Sequence, residues 1–277
     1  MVINAPHGEA HLLSIVKVKN LTFGFNSTPL INDVSFEVPV GSLFSIIGPN
    51  GAGKSTLLSL LCGDNTGSGS VEIGGRCLTG WSSQSLAKKR AVLPQNVSLN
   101  FSFNVSDVVL MGRSPYVRGL AESDLDRDLA KQALCAVEMG DYWNRDYTSL
   151  SGGEKQRVQF ARVLVQLCES ALSESLEGKL LFLDEAVANL DPAHQHQVFK
   201  LLKILQQQGL TIINVLHDIQ LTAQYSDHVL VMKNAKMLMC DEMRTVLTPD
   251  KLEQVYDMPF RKIHDSATSW PFLVAAS

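Results

Sequence analysis

Leu43-Phe44-Ser45-Ile46-Ile47-Gly48-Pro49-Asn50-Gly51-Ala52-Gly53-Lys54-Ser55-Thr56 is the stretch on which the reading of this chain turns. Its first five residues read as a strand. After Gly48 the pattern becomes helical, with Leu57, Leu58 and Leu61 at helical spacing and Gly63 as C-cap. Strand, glycine-rich loop and helix in that order are the context of a phosphate-binding loop, here Gly48, Asn50, Gly51, Gly53, Lys54, Ser55 and Thr56. Gly51 and Gly53 let the backbone curl until successive N–H groups face one anion, and the helix adds the positive end of its dipole. Lys54 is placed to reach the β- and γ-phosphates of a nucleotide, and Ser55 to ligate magnesium. The bland alternative, glycines present only to fit a tight turn, leaves the lysine and the hydroxyl unexplained.

Downstream, Leu180-Leu181-Phe182-Leu183 is apolar on both faces and runs into Asp184 and Glu185. A buried parallel strand delivers its C-terminal end to the ligand crevice of an open α/β sheet. There Asp184 is expected to hold magnesium through water, and Glu185 to orient and deprotonate an attacking water. Alone, two acids after an apolar run are an ordinary solvated strand end; beside a phosphate loop, they are expected to act. Leu150-Ser151-Gly152-Gly153-Glu154 opens a second helix, with Ser151 as N-cap and glycine amides presenting another anion site. One triphosphate cannot occupy both sites unless a second molecule is involved.

The remaining pattern agrees with an α/β chain. Ile15–Val18, Val34–Val38 and Val71–Ile73 read as strands. The span from about Ser82 to Gly140 reads as mostly helical, with Leu125, Leu129, Ala133 and Val137 on one face. A helix begins near Glu154, and the polar stretch Cys168 to Gly178 reads as a surface loop. Asp191 and Pro192 open a helix closed by Gly209, Thr211–Val215 is a strand, Val229–Met232 and Met237–Cys240 form a hairpin, and Thr248-Pro249 opens a short last helix. Alternation of strand and helix implies parallel strands covered by helices.

Composition narrows the function. The 277 residues are 45% hydrophobic and 19% charged, enough to bury a core, with a net charge of -4 that gives no reason to expect a nucleic-acid surface. The apolar runs fall far short of the about 20 residues a membrane helix needs. Residues 1–13 lack the basic start and apolar block of a secretory signal. Cys62, Cys77, Cys135, Cys168 and Cys240, five scattered residues, are expected to be buried small apolar groups of a reduced, cytosolic protein.

With these motifs in this order from about Ile15 to Thr248, the chain resembles the ATPase subunits of ATP-binding cassette (ABC) transporters. The resemblance implies a P-loop NTPase fold with a mixed, largely parallel sheet, an N-terminal antiparallel β subdomain over 15–80, a helical subdomain over 96–165, a catalytic core over 178–248 and a tail over 249–277. It assigns adenine stacking to Phe25, with Phe23 close enough to contest it, and matches Gln95 to the glutamine that touches magnesium and water. Ser151, Gly152 and Gly153 match the signature that binds the γ-phosphate held by the other protomer of a head-to-tail homodimer. Asn189-Leu190-Asp191 matches the loop crossing that interface, and His217 the switch histidine. Where the family commonly has Pro-Thr after the acidic pair, this chain has Ala186-Val187, which puts the rigidity of that loop in question.

Phe103 to Tyr116, above all Met111-Gly112-Arg113 followed by Pro115-Tyr116, is similar to a segment of importer ATPases for haem, ferric siderophores and cobalamin. The Cys168 to Gly178 extension is similar to that of haemin importers. A plain helix terminus broken by Gly112 and Pro115 is the alternative reading of the first segment. The expectation is therefore ATP with Mg2+, hydrolysis at the cytoplasmic face of the inner membrane, transmembrane permease partners and, indirectly, a periplasmic substrate-binding protein. Haem is the first cargo, siderophore or cobalamin the rival, and a non-transport ABC ATPase acting on nucleic acid or ribosomes the competing class.

Overall fold

The computed structural model describes residues 13–25, 28–95, 102–117, 122–172, 174–188, 190–263, 270 and 272–276. The first twelve residues, Ser173 and Asn189, all touched on by the sequence reading, lie outside them.

Strands β1 (Ser14–Phe25) and β2 (Thr28–Pro39) pair antiparallel, and β1 also pairs with β4 (Ser68–Ile73), which pairs with β5 (Arg76–Cys77). This outer sheet alternates buried Val16, Val18, Val34, Phe36 and Val38 with exposed polar residues, the pattern of an antiparallel sheet with one wet face.

The second sheet has six strands in the order β10-β9-β3-β8-β7-β6. At its centre β3 (Leu43–Ile47) is buried throughout, flanked in parallel by β8 (Thr211–Val215) and β9 (His228–Lys233). Next to β8 come β7 (Leu180–Asp184) and then β6 (Arg90–Leu93), both parallel, while β10 (Lys236–Glu242) closes the other edge antiparallel. Helices α1 (Lys54–Cys62), α2 (Ser83–Lys89), α6 (Pro192–Gln207) and α7 (Ile219–Tyr225) connect these strands. A helical arm of α3 (Val105–Leu110), α4 (Asp124–Ala136) and α5 (Gly152–Leu167) shares the main core. Helices α8 (Met243–Val246) and α9 (Pro249–Tyr256) and a hairpin of β11 (Phe260–Ile263) and β12 (Phe272–Ala275) end the chain. This is the expected α/β P-loop NTPase fold.

Register explains why the site is where it is. Leu93 pairs with Leu183, Asp184 with Val215, Ile46 with Val215 and Ile47 with Val231. Four parallel strands thus end in line, and the residues just beyond them, Gln95, Glu185, His217 and Gly48, come to one sheet edge.

Several expectations are corrected. The span from Ser82 to Gly140, read as mostly helical, holds α2, α3 and α4 but also the unpredicted strand β6, four residues too short to show a period, alternating half-buried and buried. Leu125 is 46% exposed although its i, i+4 spacing puts it on the face of Leu129 and Ala133, because it falls in the first turn of α4 at the end of that face. Only Cys62 and Cys168 are buried; Cys77 and Cys135 are exposed and Cys240 is half-buried. The loop after Cys168 is irregular as expected, yet Leu176 is buried within it. The seven-residue α7 and the final hairpin were not anticipated.

Candidate active site

The phosphate loop curls as its glycines require. Gly48 has φ 144° and Gly53 φ 100°; a Cβ on Gly48 would collide with the Met232 carbonyl oxygen, and one on Gly53 with that of Leu30. Sterics therefore account for two glycines, as the bland alternative held. They do not account for Lys54. Its side chain is only 5% exposed, and its Nζ donates to the carbonyls of Gly48 at 2.9 Å and Pro49 at 3.1 Å. Burial lowers the pKa of its ammonium, and the Glu185 and Asp184 carboxylates oppose that shift. Gly53 at the N-cap has no side chain to offer, so the first-turn amides of α1 carry no side-chain cap. Asn50, Gly51 and Ser55 are exposed around this opening, and Thr56 is half-buried.

Asp184 ends β7 facing α1, and Ser55 Oγ donates to its Oδ1 at 2.9 Å. Burial raises the Asp184 carboxyl; the Ser55 hydrogen bond opposes this and the neighbouring Glu185 charge adds to it. Hydroxyl and carboxylate oxygens beside a phosphate loop are the donors magnesium takes, usually with substrate oxygens and waters making up the rest. No cluster of three or more His, Cys, Asp or Glu among the described residues forms a metal site by itself, so a divalent ion here would depend on such additional oxygens.

Glu185 follows with φ 49°, unusual for a residue with a side chain. Its Oε2 accepts from Gln95 Nε2 at 2.7 Å, and its Oε1 is hydrogen-bonded to His217 Nε2. Three residues predicted from three separate strands are thus in contact. The backbone beyond Glu185 turns through bonds from Ala188 N to Glu185 O at 3.0 Å and Leu190 N to Val187 O at 3.1 Å.

Ala186 and Val187, the departure noted above, are secured by two glutamines that sequence reasoning missed. Gln156 Nε2 of α5 donates to Ala186 O at 2.5 Å, and Gln195 Nε2 of α6 donates to Val187 O at 3.0 Å. Their signal in the sequence was only the missing proline. Asp191 caps α6, accepting from His194 N at 3.0 Å.

Ser151 caps α5 in a reciprocal box: its Oγ accepts from Glu154 N at 3.3 Å and its N–H donates to Glu154 Oε2 at 2.8 Å. Ser151 and Gly152 are exposed and Gly153 is half-buried. None of the described hydrogen bonds or ion pairs joins them to Lys54, Ser55 or Asp184. At the end of β1, Phe25 is 64% exposed, whereas Phe23 packs against the core beneath the outer sheet, with the two rings 5.2 Å apart and edge-on.

Met111 to Tyr116 has a structural explanation. Arg113 is buried, its Nε 2.6 Å from Asp126 Oδ1, and it donates to the carbonyls of Val165 at 2.7 Å and Glu169 at 3.2 Å, and to that of Cys168. It lies 4.1 Å from the Tyr116 ring. The guanidinium therefore caps the C-terminal end of α5, where the helix dipole favours a cation.

Comparison with known proteins identifies the family. The family model for ABC transporters matches residues 31–188. The hemin import ATP-binding protein HmuV of Gloeobacter violaceus is 43% identical over 81% of this chain and 80% of its own. That of Deinococcus radiodurans is 38% identical over 95% of this chain and 97% of its own. An inward-facing ABC transporter structure described as of metal-chelate type superposes with a TM-score of 0.79 at 28% identity, covering 95% of this chain and 98% of that one. On these matches the chain belongs to the ABC transporter family, as an ATP-binding subunit with ATPase activity.

Proposed function

We propose that this subunit hydrolyses ATP as a head-to-tail homodimer to drive haem uptake through a partner permease of a bacterial importer. The observation that carries the chemistry is Glu185, held between Gln95 and His217 one residue from the Asp184–Ser55 pair. In this reading Lys54 and the α1 amides bind the phosphates, and Phe25 stacks on adenine. Ser55, Asp184 and Gln95 hold Mg2+, which supplies charge neutralisation on the phosphates. Glu185 accepts a proton from the attacking water, Gln95 and His217 fix its carboxylate, and ADP and phosphate are the products. Ser151, Gly152 and Gly153 close on the γ-phosphate bound by the partner protomer, with Asp191 at the interface.

A cavity of about 660 Å³ on the helical arm, lined by Ser106, Asp107, Leu110, Met111 and Trp143 among others, is the groove we assign to a cytoplasmic helix of the permease. Closure of two subunits on ATP draws two such grooves together, and hydrolysis releases them. None of the helices among the described residues is long and apolar enough to cross a membrane, in keeping with a peripheral subunit on the cytoplasmic face that meets its periplasmic binding protein only through the permease. Relatives that align over nearly their whole length and are named for hemin import support haem as cargo. The likeness to a metal-chelate type transporter keeps ferric siderophore or cobalamin as the second reading. Growth of a deletion strain on haem as sole iron source decides: failure restored by the intact gene supports haem, whereas normal growth without a redundant haem importer refutes it.

A further inference from the structure

The phosphate loop has a neighbour that plays no part in the roles above. Gly48 lies so close to the end of β9 that any Cβ there would strike the Met232 carbonyl. The next residue, Lys233, is clamped by the end of α9: its Nζ donates to the Gln254 carbonyl at 2.8 Å and to the two Asp257 carboxylate oxygens at 2.7 and 2.8 Å. A cation at a helix C-terminus is favoured by the dipole, so the strand end and the helix are fastened together. Leu252 and Val255 of α9 are buried in the main core, and Tyr256 packs there beside Phe260, ring centroids 6.0 Å apart.

The Tyr256 hydroxyl is buried without a formed hydrogen bond. Burial pushes its pKa up to about 12, so it stays neutral, and the backbone amide of Gly48 is beside it. The carbonyl of that same glycine accepts from Lys54. Gly48 therefore stands between a tyrosine of the C-terminal helix and the lysine assigned to the phosphates. A buried polar group is costly to leave unpaired, and the Gly48 amide is the donor beside it.

We propose that Tyr256 is a positioning residue for ATP: the Gly48 N–H donates to its hydroxyl as the loop closes on phosphate, holding the glycine whose carbonyl engages Lys54. This rests on the nucleotide reading of the loop and deepens it. Since α9 meets Gly48, and none of the described hydrogen bonds links it to Gln95, Glu185 or His217, the effect falls on binding rather than on the chemical step.

The test is ATP affinity, by calorimetry on the purified full chain, together with kcat at saturating ATP and the thermal midpoint with and without ATP. Tyr256→Phe should weaken ATP binding about three- to tenfold, the worth of one neutral hydrogen bond. It should leave kcat within about twofold and the nucleotide-free midpoint unchanged, while shrinking the ATP-induced rise. Asp257→Asn, which loosens the clamp from an exposed carboxylate, should show the same split more weakly. Lys54→Ala is the reference. If it loses ATP binding while Tyr256→Phe and Asp257→Asn bind normally, or if they lower kcat alone, the proposal is overturned; if Lys54→Ala binds ATP normally, the nucleotide reading itself fails.

Discussion

The two helix N-termini that present amides to anions are built differently. At α1 the N-cap is glycine, no side chain caps the first turn, and a buried lysine opens the helix beside a half-buried aspartate that Ser55 touches. At α5 Ser151 and Glu154 satisfy each other's backbone, and Ser151 and Gly152 are exposed. The first has unmet donors and a cation of its own, so it binds a phosphate unaided. The second keeps the Gly152 and Gly153 amides open but has no buried lysine, so it contributes only when a phosphate is carried to it. In the proposed head-to-tail dimer, a site divided in this way makes hydrolysis depend on two subunits, while binding needs one.

Four substitutions separate these functions, from the largest effect to the smallest. Glu185→Gln leaves both N-termini intact and should lower turnover by about 10² to 10⁴, the worth of a general base. Because ATP then persists, a stable dimer should appear on gel filtration only with nucleotide; a monomer with normal turnover contradicts the assignment. Asp126→Asn strips the partner from buried Arg113 and frees the far end of α5, and should destabilise the fold by about 3 to 5 kcal/mol, read from chemical denaturation.

Acid should reproduce that loss in the unaltered chain. Burial by itself raises the Asp126 carboxyl, but bonds from Arg113 and Ser123 outweigh it and hold the group below its ordinary 3.8. Its stabilisation is present above the ordinary value and fades as pH falls through the lower folded value. Asp126→Asn should therefore show a flatter stability curve below about pH 5 than the unaltered chain. Lys54→Ala should weaken ATP binding roughly ten- to more than a hundredfold, the equivalent of about 1.5 to 3 kcal/mol for a charge-assisted bond. Ser151→Ala should cost about 1 kcal/mol of stability through the lost cap and leave ATP binding by the isolated subunit unchanged.

The sheet edge was legible because buried parallel strands are continuous apolar runs with ligand-bearing residues at their ends, and both Leu43–Ile47 and Leu180–Asp184 have that form. Gln95 and His217 could be named from the resemblance, but only the register of β6, β7 and β8 shows that both reach Glu185. What stayed hidden depends on tertiary contact. Gln156 and Gln195 look like ordinary helix surface residues until the Ala186 and Val187 carbonyls are seen in front of them. Arg113 reads as a helix terminus until its guanidinium is found under the last turn of α5. The final hairpin has strands of only four residues; its anchors, buried Leu273 and the bond from Gln220 Nε2 to the Leu273 carbonyl at 2.5 Å, carry no local signal.

The central claim, a phosphate held by one subunit and completed by the signature of another, is tested most directly by mixing two inactive variants. Lys54→Ala removes the loop's cation and Ser151→Arg blocks the signature, so each alone should be inactive. In a mixed dimer, the loop of the Ser151→Arg subunit meets the signature of the Lys54→Ala subunit, and one site is whole. Random exchange at equal amounts makes half the dimers mixed, so ATPase activity should recover to about a quarter of the unaltered level. No recovery, with mixed dimers demonstrated by capture on two different affinity tags, would contradict the divided site.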